Sequence, residues 1–448
     1  DAQNTTARME EYKAGLAWQS DAKRWIMTIS QTQQKYGVPG HAHHEEEHHD
    51  EEEHEAAEHE EELGAGVHID MEKQSLAFIF EQDSNAGKDP LRLKFGYTDY
   101  THTEFENQIT GTIFDRQMTE INLETPYKGM AKGEALLGMS ARLAELETKG
   151  DEAFLPSIDE EHLGLYVIER LSHGNWRTEL AGRFDTTSYD STQANRSFDT
   201  INLSAGIGYK PSADSLIGGS LSLTERPPAP TELFADGLHA ATMRHERGDT
   251  QLDIEDAVST ELYYRGKWGR GNATLSVFKN DYDNFISLKN SGLQEAGDII
   301  YTYTQGSADI QGIEIGYHLK HPTPWGNWIT ELGYARMKGD AADGTPLRSI
   351  PAEKLAVSVG FMKGAWDGRM DITTTQKQSR ISAEELPTDG YDRLDLSLQW
   401  TPSSLSGVTI MLRGENLTNE EIRHHSSALK DLLPEAGRNI TLRTSLDF

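Results

Sequence analysis

The chain contains no cysteine, so disulfides and thiolate metal sites are excluded, and any metal must be held by imidazole, carboxylate or water. It also lacks any stretch approaching the roughly 18 to 20 apolar residues of a membrane-spanning helix, and the polar start Asp1-Ala2-Gln3-Asn4-Thr5-Thr6 does not read as a signal peptide. A helical membrane protein is excluded. A membrane β-barrel is not, because only every second residue of its strands must face lipid, and an apolar fraction of 36% suffices for that. Positive charge is scarce: 42 Lys and Arg stand against 73 Asp and Glu, a net −31. Phosphate binding needs a basic surface, so nucleic acid is not an expected partner and cations are favoured instead. A length of 448 residues allows two or three ordinary domains or one large β-structure.

What the chain has in abundance is a run of histidine and acid. It begins His41-Ala42-His43-His44-Glu45-Glu46-Glu47-His48-His49-Asp50 and continues through His54 and His59 to Glu62, with seven histidines among twelve acidic residues. Blocks of like charge are usually solvated tails or loops, but solubility alone has no need for imidazole. Imidazole and carboxylate are both ligands for zinc and similar divalent cations, so the run reads as a set of interchangeable weak metal sites. Were part of it helical, His44 and His48, His49 and Glu53, and Glu55 and His59 would share faces.

Elsewhere the dominant pattern is alternation. Ile201, Leu203, Ala205, Ile207 and Tyr209 fall on one face of an extended segment, with Asn202, Ser204, Gly206 and Gly208 on the other. Leu394, Leu396, Leu398 and Trp400 alternate in the same way, as do Val408, Ile410 and Leu412. Short breaks at Lys210–Asp214, Gly269–Gly271, Gly364–Gly368 and Pro402–Gly407 alternate with long ones at Val38–Gly66, Arg226–Asp253, Lys289–Tyr301, Gly339–Ile350 and Asn419–Gly437. From Glu11–Trp18 to Arg438–Phe448 the count is roughly 19 strands, predicting an all-β fold: one large antiparallel transmembrane barrel with tight turns at one end and extended loops at the other. A soluble sandwich would use shorter strands in smaller units.

Thr224-Glu225-Arg226-Pro227-Pro228-Ala229-Pro230-Thr231-Glu232-Leu233-Phe234-Ala235-Asp236-Gly237 resembles the E-R-x-P-x-x-x-E-L-F-A-x-G segment of TonB-dependent outer-membrane receptors, and Gly414-Glu415-Asn416-Leu417-Thr418-Asn419 resembles their E-N-L-T-N turn. The strand Ile440, Leu442, Thr444, Leu446, Phe448 is similar to the terminal signal read by the barrel-assembly machinery. Within the family, Tyr36-Gly37-Val38-Pro39-Gly40-His41, Glu232–His239 and His425-Ser426-Ser427 resemble stretches of ZnuD-like zinc receptors. The resemblance implies a barrel of about 22 strands around a globular plug. It makes residues 1–448 a partial barrel, with the plug, TonB box and first strands missing, and residues 38–66 an extracellular loop within it.

Beyond the seven histidines of the run, the candidate metal ligands are His239, whose loop the resemblance folds toward the lumen, with Glu232 and Asp236 as its nearest acids. His102 and Glu104 form a second set, sharing a strand face at period two. His68 and Asp70 share a face in the same way, His245 and Glu246 point to opposite faces of an extended strand, and His424 and His425 lie in the last long loop. Nothing argues for an enzyme: Ser426 and Ser427 are mere neighbours of His425, and the H-E-x-x-H match at His44–His48 has no apolar helix face to carry it.

The expectation is an outer-membrane receptor for zinc or a similar divalent ion, monomeric, needing no cofactor, with the ion as cargo. The run would capture it, a site near His239 would receive it, and the TonB complex would drive passage in the full-length parent. Neutral imidazole is needed for ligation, so affinity should decline as pH falls through about 6 to 6.5. The alternatives are a receptor for a siderophore, haem or other metal chelate, and a passive metal-binding barrel.

Overall fold

The structure is a computed structural model that describes residues 6–38, 67–83, 89–106, 109–129, 133–150, 153–239, 242, 244–295, 298–405 and 407–446. Its first half holds β1 (Ala7–Gln19), β2 (Lys23–Gly37), β3 (Val67–Gln82), β4 (Leu91–Glu106), β5 (Ile109–Lys128), β6 (Glu134–Lys149), β7 (Ile158–His173), β8 (Trp176–Ser191), β9 (Asn195–Ser212) and β10 (Ser215–Arg226). A long connection follows, containing α1 (Pro230–Phe234), β11 (Asp236–His239) and β12 (Arg244–Arg247). The second half holds β13 (Glu255–Trp268), β14 (Gly271–Glu295), β15 (Asp298–Thr323), β16 (Gly326–Ala341), β17 (Lys354–Lys363), β18 (Trp366–Thr375), β19 (Tyr391–Trp400), β20 (Val408–Glu415) and β21 (Asn439–Leu446).

Each strand from β1 to β10 pairs antiparallel with the next, β10 pairs with β13, and the meander continues to β21. Nineteen strands therefore form the wall, as the alternation predicted. The two extra strands, β11 and β12, form a hairpin inside the long connection, and β12 adds to β15 in parallel over His245–Arg247. Among the described residues no helix is long and apolar enough to cross a membrane.

Period two divides the wall into faces. On β9, Leu203 and Ile207 are about half exposed and point outward, whereas Phe198 and Thr200 are buried inside. The same division places Phe184 outward and Asp185 inward on β8, and Leu165 outward and Glu160 inward on β7. Charge collects on the inner face, where Arg142 donates to Glu160 at 2.6 Å and Arg183 donates through Nε to Asp185 at 2.8 Å. All eight tryptophans lie in or beside the short turns; Trp18 is opposite Trp25 in register, and Trp366 stacks on Trp400 at 5.7 Å. Amphipathic rings gather at a membrane interface, so the short-turn end is one interface of an apolar band and the long loops lie beyond the other.

One connection differs from expectation. Lys289–Tyr301 is not a loop, because β14 and β15 keep pairing past the wall, with Asn290 opposite Tyr301 and Gln294 opposite Ile299. The strands run 25 and 26 residues, far more than the roughly 9 to 11 that cross a bilayer, and turn-forming residues are absorbed in irregularities such as Asn284, which adopts φ 52° where the register shifts. The Glu415–Asn419 turn has its own physical basis. Asn416 and Asn419 both take left-handed backbone (φ 47° and 58°), a conformation asparagine tolerates, and the buried Asn416 amide donates to the Glu420 carbonyl while its oxygen accepts the Glu420 N–H.

Candidate functional site

His41, His43, His44, His48, His49, His54 and His59 lie outside the described residues. The flanks of their segment are described: Gly37 and His68 are register partners, and the Val38 N–H donates to the Val67 carbonyl at 2.8 Å. The two ends of the segment thus emerge side by side at the long-loop rim.

Strand alternation sorts the candidates that follow. Trp25 packs on Phe78 and Phe80 on the outer wall, and the register of β2 with β3 is unbroken, so the even-numbered residues of β3 face outward. His68 and Asp70 do share a face, and it is the outer one; His68 stacks on Phe105 and Asp70 pairs with Lys35. His102, opposite Met71, faces the lumen with Glu104. Its Nε2 is 3.8 Å from Glu104, its Nδ1 is 2.9 Å from the Tyr100 hydroxyl, and its ring packs on Phe114.

The connection after β10 folds into the barrel, as the resemblance implied. Pro230 is pre-organised for the first turn of α1, and Leu233 and Phe234 pack fully buried against Ile158, Tyr189 and Phe198 of the inner wall. Glu232 is not a companion of His239. Its carboxylate accepts from Arg226 at 2.8 Å and from the Ala229 N–H at 2.7 Å, and Arg226 also donates to Glu255, so its role is to fasten α1. Asp236 is likewise held by Arg247 at 3.1 Å.

The carboxylate beside His239 is Glu246. In the β11–β12 hairpin His239 is opposite Arg244 and Gly237 opposite Glu246, which puts His239, Arg244 and Glu246 on one face and Asp236, His245 and Arg247 on the other. Nδ1 of His239 is 3.0 Å from Oε1 of Glu246, which also accepts from Thr242 at 2.7 Å; Oε2 accepts from Tyr303 at 2.7 Å. Burial pushes the Glu246 carboxyl up, but the hydrogen bonds from His239, Tyr303 and Thr242 outweigh it and hold the group below its ordinary range. The imidazole lies flat on Phe154 at 4.5 Å. With Nδ1 fixed by a carboxylate, Nε2 is oriented as a ligand, the arrangement that stands behind most metal-binding histidines. Sequence spacing missed this pair because it depends on a hairpin register, in which His239 and Glu246 are diagonal neighbours on one face and not direct partners.

The remaining histidines are engaged differently. His245 lies 3.8 Å from Asp236 and 4.0 Å from Glu295. Nε2 of His424 is 2.5 Å from Glu435. His425 is buried between Thr388 and Glu385, so it is in no position to serve Ser426 as a base. Phe114 and Phe154, 6.1 Å apart, stand between His102 and His239, so those two do not share an ion. Among the described residues no three His, Asp or Glu side chains converge to hold a metal.

The family described as "TonB dependent receptor-like, beta-barrel" matches residues 5–417. A TonB-dependent heme receptor A of Haemophilus influenzae (strain 86-028NP) is 22% identical over 356 residues, covering 70% of this chain and 43% of the relative. The chain thus spans less than half the length of that curated relative. Among solved structures, the copper transporter OprC superposes with a TM-score of 0.81 at 14% identity, covering 99% of this chain and 72% of that one. The FrpB iron transporter from Neisseria meningitidis (F3-3 variant) superposes at 0.75, with 14% identity and coverage of 99% and 72%. At these identities the superpositions speak for fold alone. An outer-membrane barrel with a polar lumen, a tryptophan girdle and an infolded α1 connection accounts for all of these likenesses, and the chain belongs to the TonB-dependent receptor β-barrel family.

Proposed function

We propose that the chain is the barrel part of a receptor for uptake of zinc or a similar divalent ion, with His239 as a ligand of the inner site. The observation that carries this reading is the His239–Glu246 pair: a carboxylate secured by three donors orients an imidazole whose other nitrogen has no hydrogen-bond partner among the described residues, inside the mouth of the barrel. The described residues that flank the run, Gly37 and His68, are register partners at the long-loop rim, and many weak ligands tethered between them would raise the local ion concentration before transfer. His102 and Glu104 are a further inward-facing pair on the way. In the whole protein, passage would require a plug displaced by the TonB complex.

The test is a zinc titration against a competing chelator on the intact chain, on a deletion of His41–Glu62 and on His239→Ala. Loss of several weak sites in the deletion, with a tighter one surviving and disappearing in His239→Ala, supports the reading. Zinc binding no greater than that of a polyacidic control would sink it. A second reading, a receptor for an intact metal chelate, is supported by the aromatic shelf of Phe114 and Phe154 beside His102 and His239 and by the likeness to a heme receptor. Tight binding of a chelate by a chain indifferent to free zinc would favour it.

A further inference from the structure

On β7 the residues Leu163, Leu165 and Val167 are all exposed and point outward, so period two puts Glu169 on the same lipid-facing side. In register Glu169 is opposite Ala135 of β6 and Leu180 of β8, and Leu180 is likewise exposed on the outer wall. Four residues further on, His173 is opposite Trp176 at the short-turn end. Glu169 therefore lies between the exposed leucines of the apolar band and the tryptophan girdle, roughly 13 Å along the strand from the turn.

Glu169 is only 6% exposed, and its Oε1 is buried with no hydrogen-bond partner. No Arg, Lys or His side chain pairs with it among the described residues. The carboxylate occupies space that glycine leaves free: a Cβ on Gly129 would come within 2.5 Å of Oε1. Glu169 and Gly129 line a pocket of about 560 Å³ in the outer wall, together with Tyr127, Lys128, Val167 and Leu180. A carboxylate withdrawn from water without a partner is costly unless a cation joins it. On this face of the barrel the molecules that reach the pocket are lipids.

We propose that this pocket is a lipid site, in which Glu169 receives the ammonium of a phospholipid headgroup bearing a primary amine while the acyl chains lie along Val167 and Leu180. An ammonium supplies the hydrogen-bond donors that Oε1 lacks, in a charge-assisted pair; a trimethylated headgroup has none to give. The exposed Lys128 on the same pocket complements the phosphate that such a headgroup also carries. The inference concerns the outer wall and stands independently of the cargo.

Native mass spectrometry of the full chain released from detergent micelles tests it, with phosphatidylethanolamine, phosphatidylglycerol and phosphatidylcholine of the same acyl chains as separate probes. Wild type is expected to bind phosphatidylethanolamine about tenfold more tightly than the other two, and Glu169→Gln to bind all three alike. Leu180→Lys, directly opposite Glu169, supplies an ammonium from within the chain and should abolish the preference while the carboxylate remains. Each protein is also compared with its own lipid-free Tm: phosphatidylethanolamine should raise that of wild type more than phosphatidylglycerol does, and raise those of the two variants no more. No preference in wild type, as a neutral carboxyl would give, or a preference that survives in Glu169→Gln, as a purely structural role would give, would overturn the proposal. Competition by water-soluble glycerophosphoethanolamine as strong as by the whole lipid would overturn the assignment to a membrane lipid.

Discussion

Nε2 of His425 stands 3.7 Å from Oε1 of Glu385, and both side chains are almost fully buried, at 1% and 2% exposure. Nδ1 of the same ring is 3.1 Å from the Thr388 hydroxyl, and Glu385 accepts the Ser349 N–H at 2.8 Å, so the pair joins three long loops into one unit. Burial pushes His425 below the ordinary histidine range, with Glu385 opposing and the nearby Lys430 reinforcing the shift. Such a histidine takes up protons more readily unfolded than folded. Its contribution is therefore full above the ordinary value of about 6.5 and is lost as pH falls below it. Amide exchange at Ser349, Ser382 and Glu385 is expected to quicken between pH 7.5 and pH 5, roughly the range in which histidine changes charge, and much less so in His425→Gln. Exchange independent of pH after correction for intrinsic rates would refute the latch.

Glu246→Ala leaves the Tyr303 hydroxyl and the His239 imidazole without their acceptor in a buried setting. A cost of about 1 to 3 kcal/mol in stability is expected, together with zinc affinity reduced by about tenfold or more through loss of imidazole orientation. Glu246→Gln should restore much of the stability and less of the affinity. Equal zinc affinity in all three proteins would show that Glu246 has no orienting role.

Leu233→Ala is expected to cost about 2 to 5 kcal/mol, the usual range for emptying a tightly packed leucine site, since Leu233 is 1% exposed against the inner wall. The loss should be local. Proteolysis within residues 227–254 should accelerate while the heat-resistant mobility of the barrel on a gel persists; collapse of the barrel itself would contradict the view that α1 is an infolded accessory.

Leu203 and Ser204 are sequence neighbours on opposite faces of β9. Leu203→Arg is expected to destabilise the barrel in lipid vesicles by up to about 2 to 4 kcal/mol, the cost near the bilayer midplane, and Ser204→Arg by much less, because the latter enters a polar lumen. Urea unfolding in vesicles reads both, and equal effects would mean the faces are assigned wrongly.

Zinc affinity of the intact chain should fall as pH passes through about 6 to 6.5, because protonated imidazole is no ligand. Affinity unchanged from pH 7.5 to pH 5 would rule out histidine as the principal donor.

How much of this was legible in the chain follows from how far each feature reaches. Alternation is local, so the lipid face of Ile201–Tyr209, the wall of nineteen strands and the contrast between tight turns and long loops could be read from neighbouring residues. The motif around Arg226–Gly237 announced a family and an infolded loop. Its Glu232, though, belongs to Arg226 and not to His239, and Lys289–Tyr301 reads as a loop but continues as paired strand. Both outcomes depend on partners distant in sequence. The same holds for the site: composition supplied histidines in excess, but only hairpin register could select Glu246 as the acid behind His239, only the unbroken register of β2, β3 and β4 could turn His68 outward and His102 inward, and only the packing of three loops could bury His425. Side-chain type and spacing set which face a residue occupies within its own strand; which other face it meets is set by closure of the sheet and infolding of the connections.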